Sequence, residues 1–349
     1  MTTEVTQSWL DVILSELEGV ETTTNIKDSP YYSPMSMPAN YYLGVDITIL
    51  TLQAMSIIGN GFIITLFIGT TRLRKNMSLR LLLLLCVTDF VFAISALPYI
   101  VYYTVKWDPI MFDYDPMYII TSSLPLVIQF KVNLVITIMI AVDRLQAMKA
   151  PAYYRRKNQS LFMWGTLAIG LILAAVDVFL EYHTTVFNVR RFNCAAIGCF
   201  QEAGFRAYWG ISNMVLNTVA LVLTFWVAIE LKRMGANANP GNFGKRETKQ
   251  MAQANKLSFG ILVTGFMFLM VPSTFVGIVE LTNLQVFKVI GPFYILGLLL
   301  AGVTNSVVYI SLHVELRQAA IRLVTQRSFM KETATVTTIG VTTTFMEGQ

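Results

Sequence analysis

Seven long apolar runs constrain this chain more than any other feature of its sequence. They lie at approximately residues 44–69, 79–104, 118–142, 161–181, 208–231, 257–281 and 287–312. Each is long enough to cross the hydrocarbon core of a bilayer, which takes about 20 apolar residues of α-helix. A backbone in lipid must satisfy its own hydrogen bonds, so the runs are expected to be helical. The sequence therefore predicts an all-α membrane protein, a seven-helix bundle whose spans we number first to seventh in chain order.

Composition argues against the other broad classes. Hydrophobic residues make up 54% of the 349 residues and charged residues only 13%, whereas soluble domains carry about 25% charged residues. The sequence contains no HExxH, GxSxG or P-loop motif, so neither an enzyme nor a cofactor is expected. The net charge of +5 is spread too widely to predict a nucleic-acid partner.

The distribution of positive charge predicts the orientation of the bundle. Most Lys and Arg residues lie after the first, third and fifth runs and after the seventh. Because cytoplasmic loops are enriched in Lys and Arg, the N-terminus is expected outside and the C-terminus in the cytosol. The predicted organisation is an extracellular tail (1–43), the bundle (44–312), an amphipathic helix on the membrane surface (313–325) and a cytoplasmic tail (326–349).

Six short motifs follow one another along the runs. They are Gly59-Asn60, LCVTD ending at Asp89, Asp143-Arg144-Leu145, Pro151 with Tyr154, Pro272, and NSVVY from Asn305 to Tyr309. Together they resemble the rhodopsin-like (class A) G-protein-coupled receptors over residues 44 to 325. Ser306 replaces the proline of NPxxY, and Met270 stands where that class has the tryptophan of CWxP. The chain has lost these two motif residues but retains the DRxxxxxxPxxY stretch. In this combination it resembles the nematode serpentine chemoreceptors.

The resemblance implies a plasma-membrane receptor that transmits a small-molecule signal to a heterotrimeric G protein. It also implies a set of switch residues: Asp143, Arg144, Asp89, Asn133, Asn305, Tyr309 and Pro272. Phosphorylation of the threonine-rich tail would recruit kinase and arrestin-type partners, and a plain disordered tail is the alternative interpretation. A sodium ion at Asp89 is a further implication, but Ala301 and Gly302 offer it no side-chain oxygen. Because residues 251–254 contain no acid to restrain Arg144, we expect a weak resting lock and some basal signalling.

Lys131 is the most distinctive ionisable residue in the runs. It lies thirteen residues before Arg144, about 20 Å up a helix, so close to the middle of the bilayer. Gln129 and Asn133 are two residues to either side, and two residues turn a helix by about 200°. They therefore face away from Lys131, which is expected to point toward the fourth to sixth spans.

Two interpretations of Lys131 stay open. It is either a counter-ion for an acidic ligand, since ionisable groups at membrane depth are functional by default, or an internally paired structural lysine. Asn213 and Asn217, one helical turn apart, are its polar candidates on the fifth span. Asp177 and Glu181 lie higher, near the outer end of the fourth span.

The predicted ligand pocket is apolar and suits a lipophilic small molecule. Its lining would comprise Val127, Phe130, Phe268, Met270, Phe275 and Tyr294, with Lys131, Asn213 and Asn217 as polar groups. Ordinary packing within the bundle is the competing interpretation of such a set. Two other functions remain as alternatives: a neuropeptide receptor of the same fold, and a transporter in which Asp89 and Lys131 mark a polar pathway. The sequence has no internal repeat to support the transporter.

Cys194 and Cys199 lie in the predicted extracellular loop after the fourth span. An oxidising environment favours a local disulfide between them, with free thiols as the alternative.

Overall fold

The structure is a computed structural model that describes residues 37–187, 189–236, 245–271, 273–274, 293–323 and 325. The predicted tails therefore lie almost wholly outside the described residues. So do the outer third of the predicted sixth span and the first residues, 287–292, of the predicted seventh span.

Long helices account for nearly all of the described chain. The first span is Ala39–Gly69; the second comprises a 3-10 turn at Met77–Leu79 with helices Arg80–Ser95 and Leu97–Val105; the third is Pro116–Lys149; the fourth is Gln159–Thr184; the fifth is Ala203–Ala236; the sixth is Lys245–Gly265 with a π-helical turn at Phe266–Met270; and the seventh is Phe293–Leu312. Within the described residues, six of these helices are long and apolar enough to cross a membrane. The predicted all-α membrane fold is confirmed.

Polar caps fix where the central helices begin. Asp115 Oδ1 accepts from the Met117 N–H at 3.0 Å, and Pro116 occupies the first helical position, where its missing N–H costs nothing. Asn158 Oδ1 accepts from the N–H groups of Ser160 and Leu161. Such caps satisfy N–H groups that have no partner within the helix. They place the start of both helices outside the apolar runs.

The third span forms the axis of the bundle. Within an apolar stretch of 18 residues taken from each helix, 72% of the residues of the third span are buried. The corresponding share is 28% or less for the first, fourth and fifth spans. Those outer helices expose apolar side chains such as Ile58, Phe179 and Phe225. Lipid tails are as apolar as these side chains, so association of the helices depends on packing and polar contacts. The third span is therefore where polar groups can be shielded from lipid.

Small residues allow the seventh span to approach its neighbours closely. A Cβ added at Gly297 would lie 2.7 Å from the Phe268 carbonyl oxygen in the π-helical turn. Added at Gly59, it would meet Ser306 Oγ at 2.6 Å. Close backbone approach at small residues is typical of membrane helix interfaces.

A short amphipathic helix follows the seventh span. Residues 314–323 are helical, within the predicted segment 313–325. Leu316 and Ala320 are buried, while Arg317 is exposed. His313 Nδ1 accepts from the Leu316 N–H at 3.4 Å, and burial lowers the pKa of His313, which favours the neutral ring that this acceptor role requires.

We expect Gly297→Ala to destabilise the bundle by about 1–3 kcal/mol, because its Cβ would collide with backbone that has no rotamer to change. The measurement is the thermal midpoint of the purified full chain in detergent. Gly44→Ala is the matched control, since a Cβ there meets nothing within 4 Å. Equal midpoints for the two variants would contradict the contact between the sixth and seventh spans.

Candidate functional site

Asp89 is the centre of a buried polar network that joins three spans. Its Oδ1 accepts from Gln129 Nε2 at 2.9 Å and from Asn133 Nδ2 at 3.3 Å, both on the third span. Its Oδ2 accepts from Asn305 Nδ2 of the seventh span at 3.4 Å. All four side chains are at most 5% exposed. Three amide donors therefore hold a carboxyl group that has lost its water.

The network continues toward the first span and the inner end of the bundle. Asn60 Nδ2 donates to Ser56 Oγ at 3.1 Å and to the Gly302 carbonyl at 3.4 Å. A Cβ at Gly302 would sit 3.1 Å from Ser56 Oγ, so the glycine allows the first and seventh spans to approach closely here. Tyr309 donates to the Leu82 carbonyl at 2.7 Å. The structure thus connects Asp89, Asn133 and Asn305 directly, and places Tyr309 separately against the second span.

The residues around Asp89 do not fit a sodium ion. Both carboxylate oxygens accept from amide N–H groups, which take the positions a cation would need. Hard cations require oxygen ligands, and Ala301 and Gly302 supply no side-chain oxygen. We therefore assign no step to sodium.

A second buried cluster surrounds Asp143 at the inner end of the third span. Its carboxylate pairs with the adjacent Arg144 and accepts from Gln159 Nε2 at 3.0 Å and from Tyr154 OH at 3.3 Å. Lys157 Nζ lies 3.7 Å from Asp143 Oδ1. Asp143 and Arg144 are each at most 3% exposed, so this set, which we call the Asp143 cluster, holds its charges away from water.

Arg144 has further partners besides Asp143. Its Nη2 donates to Tyr154 OH at 3.0 Å and to the Ser78 carbonyl at 3.3 Å. The absence of an acid at residues 251–254 led to the expectation of a weak resting lock. The structure gives Arg144 three other partners, Asp143, Tyr154 and the Ser78 carbonyl, and the level of basal signalling stays a prediction.

Lys131 forms a buried ion pair with the fourth span. Its Nζ lies 3.1 Å from Asp177 Oδ2, and both side chains are at most 2% exposed. It also donates to Ser212 Oγ at 2.9 Å, while Tyr208 OH donates to Asp177 Oδ1 at 3.1 Å. Of the two interpretations of Lys131, the geometry favours internal pairing. The partner is Asp177, one of the acids considered higher on the fourth span, and not Asn213 or Asn217.

Three aromatic rings lie together just above this level. Ring centroids of Phe130 and Trp209 are 5.2 Å apart, those of Phe130 and Tyr294 are 5.7 Å apart, and those of Trp209 and Tyr294 are 4.9 Å apart. They bring the third, fifth and seventh spans together. Val127 and Met270 of the predicted pocket are also buried. Pro272 and Phe275 lie outside the described residues.

Asn213 and Asn217 of the fifth span are buried, and their amide groups make no hydrogen bond to the described residues. Asn213 is 1% exposed and Asn217 is fully buried. An unsatisfied buried amide costs about 1–3 kcal/mol.

The sequence argument assigned no role to six residues of these clusters. They are Gln129 at Asp89, Gln159 and Lys157 at Asp143, and Tyr208, Trp209 and Ser212 beside the Lys131–Asp177 pair. Gln129 had a usable signal, since it lies four residues before Asn133 and therefore on the same helix face. For Gln159, Trp209 and Ser212 no such signal exists, because their contacts depend on how neighbouring helices are rotated.

The loop after the fourth span is closed by a disulfide. Cys194 and Cys199 are bonded, with Cα atoms 6.3 Å apart. Asn193, at a positive φ of 57°, ties the loop to the segment before the third span through its side-chain oxygen, which accepts from the Phe112 N–H at 3.1 Å. The bonded pair lies in the core with Phe112 and Ile119.

Membrane-length helices with polar clusters buried along the third span define a multi-span helical membrane protein. The serpentine type 7TM GPCR chemoreceptor Srbc family matches residues 37–315, well over half of the chain. The chain belongs to this family of serpentine chemoreceptors. It is thus a multi-pass plasma-membrane protein, a chemosensory receptor and not an enzyme. No curated protein matches the chain.

We expect Lys131→Met to lower the stability of the bundle by about 3–5 kcal/mol, because Asp177 would remain as an uncompensated buried charge. The double variant Lys131→Met with Asp177→Leu removes both charges and should recover most of that loss. The measurements are thermal midpoint and surface expression of the full chain. A double variant no better than the single one would contradict the pairing.

Proposed function

We propose that the chain is a receptor for an extracellular, lipophilic small molecule and activates a heterotrimeric G protein. Its N-terminus lies outside, and the Asp143 cluster faces the cytosol, because Lys and Arg are concentrated on that side. The observation that carries the proposal is the burial of Asp143 and Arg144 in one hydrogen-bonded set at the inner end of the bundle's axis.

The proposed ligand site lies among the third, fifth and seventh spans. The rings of Phe130, Trp209 and Tyr294 supply apolar area, and the amides of Asn213 and Asn217 supply hydrogen-bonding groups that the described residues leave unused. Because Lys131 already has a carboxylate partner, an acidic ligand would have to displace Asp177. A neutral ligand with an amide, carbonyl or hydroxyl group fits this arrangement better.

Signalling would require the Asp143 cluster to open. A ligand can shift the equilibrium only if it binds the open arrangement more tightly. The third span carries Phe130 at the ligand site, Gln129 and Asn133 at Asp89, and Arg144 at the inner end, so one rigid helix touches every cluster. We propose that its movement releases Arg144 to the G protein, as the resemblance to class A receptors implies.

The direct test is G-protein activation in cells that express the chain at the surface. Wild type and Arg144→Ala would be compared against a panel of neutral and acidic lipophilic metabolites and several G proteins. The proposal expects at least one agonist whose response Arg144→Ala removes at equal surface expression. Saturable uptake of a panel compound without G-protein activation would contradict it and favour a transporter.

We expect Tyr154→Phe to raise basal signalling about fivefold. The variant removes a hydrogen bond to each member of the Asp143–Arg144 pair, and loss of about 1 kcal/mol of resting-state stabilisation shifts a two-state equilibrium by that factor. Basal nucleotide exchange per surface receptor is the measurement. Tyr153→Phe is the control, because Tyr153 is 62% exposed. Identical basal rates in both variants would show that Tyr154 does not restrain the switch.

A further inference from the structure

A crevice of about 500 Å³ opens on the outside of the bundle at the inner ends of the third and fourth spans. Its wall is apolar, with Met139 from the third span and Leu161, Phe162 and Ile169 from the fourth. Leu161 is 70% exposed and Ile169 is 49% exposed, so this wall faces lipid. From residue 159 to residue 169 the fourth span rises about 15 Å, a length that suits part of an acyl chain.

The crevice exists partly because residue 165 has no side chain. Gly165 lines it, and a Cβ added there would meet nothing within 4 Å. The open space is thus adjacent to the helix surface and is not occupied by a neighbouring helix. A larger side chain at this position could fill it without displacing protein atoms.

The end of the crevice nearest the loop is basic. Arg156 and Lys157 both line it. Arg156 is exposed and forms no ion pair within the part of the chain that the structure describes. Lys157 Nζ lies 3.0 Å from the centroid of the Phe162 ring, and burial lowers the pKa of Lys157. An added anion would therefore stabilise the charged form of this lysine.

We propose that this crevice binds an anionic diacyl phospholipid of the cytosolic leaflet. The phosphate lies between Arg156 and Lys157, and one acyl chain lies along Gly165 and Ile169. Basic residues at the cytosolic face attract anionic headgroups, and the apolar wall continues from that headgroup position into the bilayer. The inference rests on the proposed orientation, which places this end of the fourth span in the cytosolic leaflet.

The lipid site would be coupled to the Asp143 cluster through one side chain. Lys157 Nζ also donates to Gln146 Oε1 at 2.6 Å and lies 3.7 Å from Asp143 Oδ1. A phosphate beside Lys157 competes with Asp143 for the same ammonium group. Bound anionic lipid therefore weakens one restraint on Asp143 and shifts the receptor toward the arrangement in which Arg144 is free.

Native mass spectrometry of the purified full chain tests binding without any G protein. The probes are phosphatidylserine, phosphatidylcholine with the same acyl chains, and soluble glycerophosphoserine. Phosphatidylserine should be retained most strongly. Arg156→Gln should weaken that retention about fivefold, and Gly165→Leu should weaken it at least as much. Arg72→Gln removes an exposed cation from another loop, and Gly44→Leu adds bulk at another open glycine, so both should behave as wild type.

Three results would overturn the lipid site. Equal retention of phosphatidylserine and phosphatidylcholine would remove the role of charge. Unchanged retention in Arg156→Gln and Gly165→Leu would place the lipid elsewhere. Binding of glycerophosphoserine as tightly as the lipid would make this a site for free anions. Because retention needs no signalling, these failures are distinct from a failure of the proposed receptor function.

Discussion

Ionised and amide side chains at membrane depth need partners inside the protein, because lipid offers them none. In this bundle that requirement falls on the third span, the most buried helix. Gln129 and Asn133 bind Asp89, Lys131 binds Asp177, and Arg144 binds Asp143. Each cluster joins the third span to different neighbours, so the rotation and height of one helix are fixed by polar contacts at three levels.

This arrangement explains how a mostly apolar bundle can have more than one defined state. Apolar packing between membrane helices is weakly selective, whereas a buried hydrogen-bonded pair is either formed or broken. The Asp143 cluster is the part of the axis closest to water, with Lys157 and Tyr154 contributed by the loop between the third and fourth spans. Its donors can therefore be exchanged for water, a G protein or a lipid phosphate at lower cost than those of Asp89.

The bundle itself could be predicted because an apolar run of 20 or more residues has few alternatives to a membrane helix. Helix ends were less predictable, since caps such as Asp115 and Asn158 lie outside the apolar runs. The resemblance to class A receptors grouped Asp89, Asn133 and Asn305 as switch residues, and hydrogen bonds join these three in the structure.

The ion pair between Lys131 and Asp177 could not be predicted from the sequence. The sequence placed Asp177 on a facing helix but near its outer end. The long lysine side chain bridges such a difference in height, and no sequence pattern reports it. The contacts of Arg144 with Tyr154 and the Ser78 carbonyl were not predicted for a similar reason, because the sequence argument considered only an acid on the sixth span and the adjacent Asp143.

In the proposed activation, the inner ends of the helices separate when Arg144 leaves the Asp143 cluster for a G protein. Spin labels at Arg72→Cys and Lys256→Cys, both exposed positions near that end, would report the distance by double electron–electron resonance. We expect one short distance for the receptor alone. With a matching nucleotide-free heterotrimer we expect an additional, longer distance, which should be absent in Arg144→Ala. A single unchanged distance with every heterotrimer of a broad panel would contradict it.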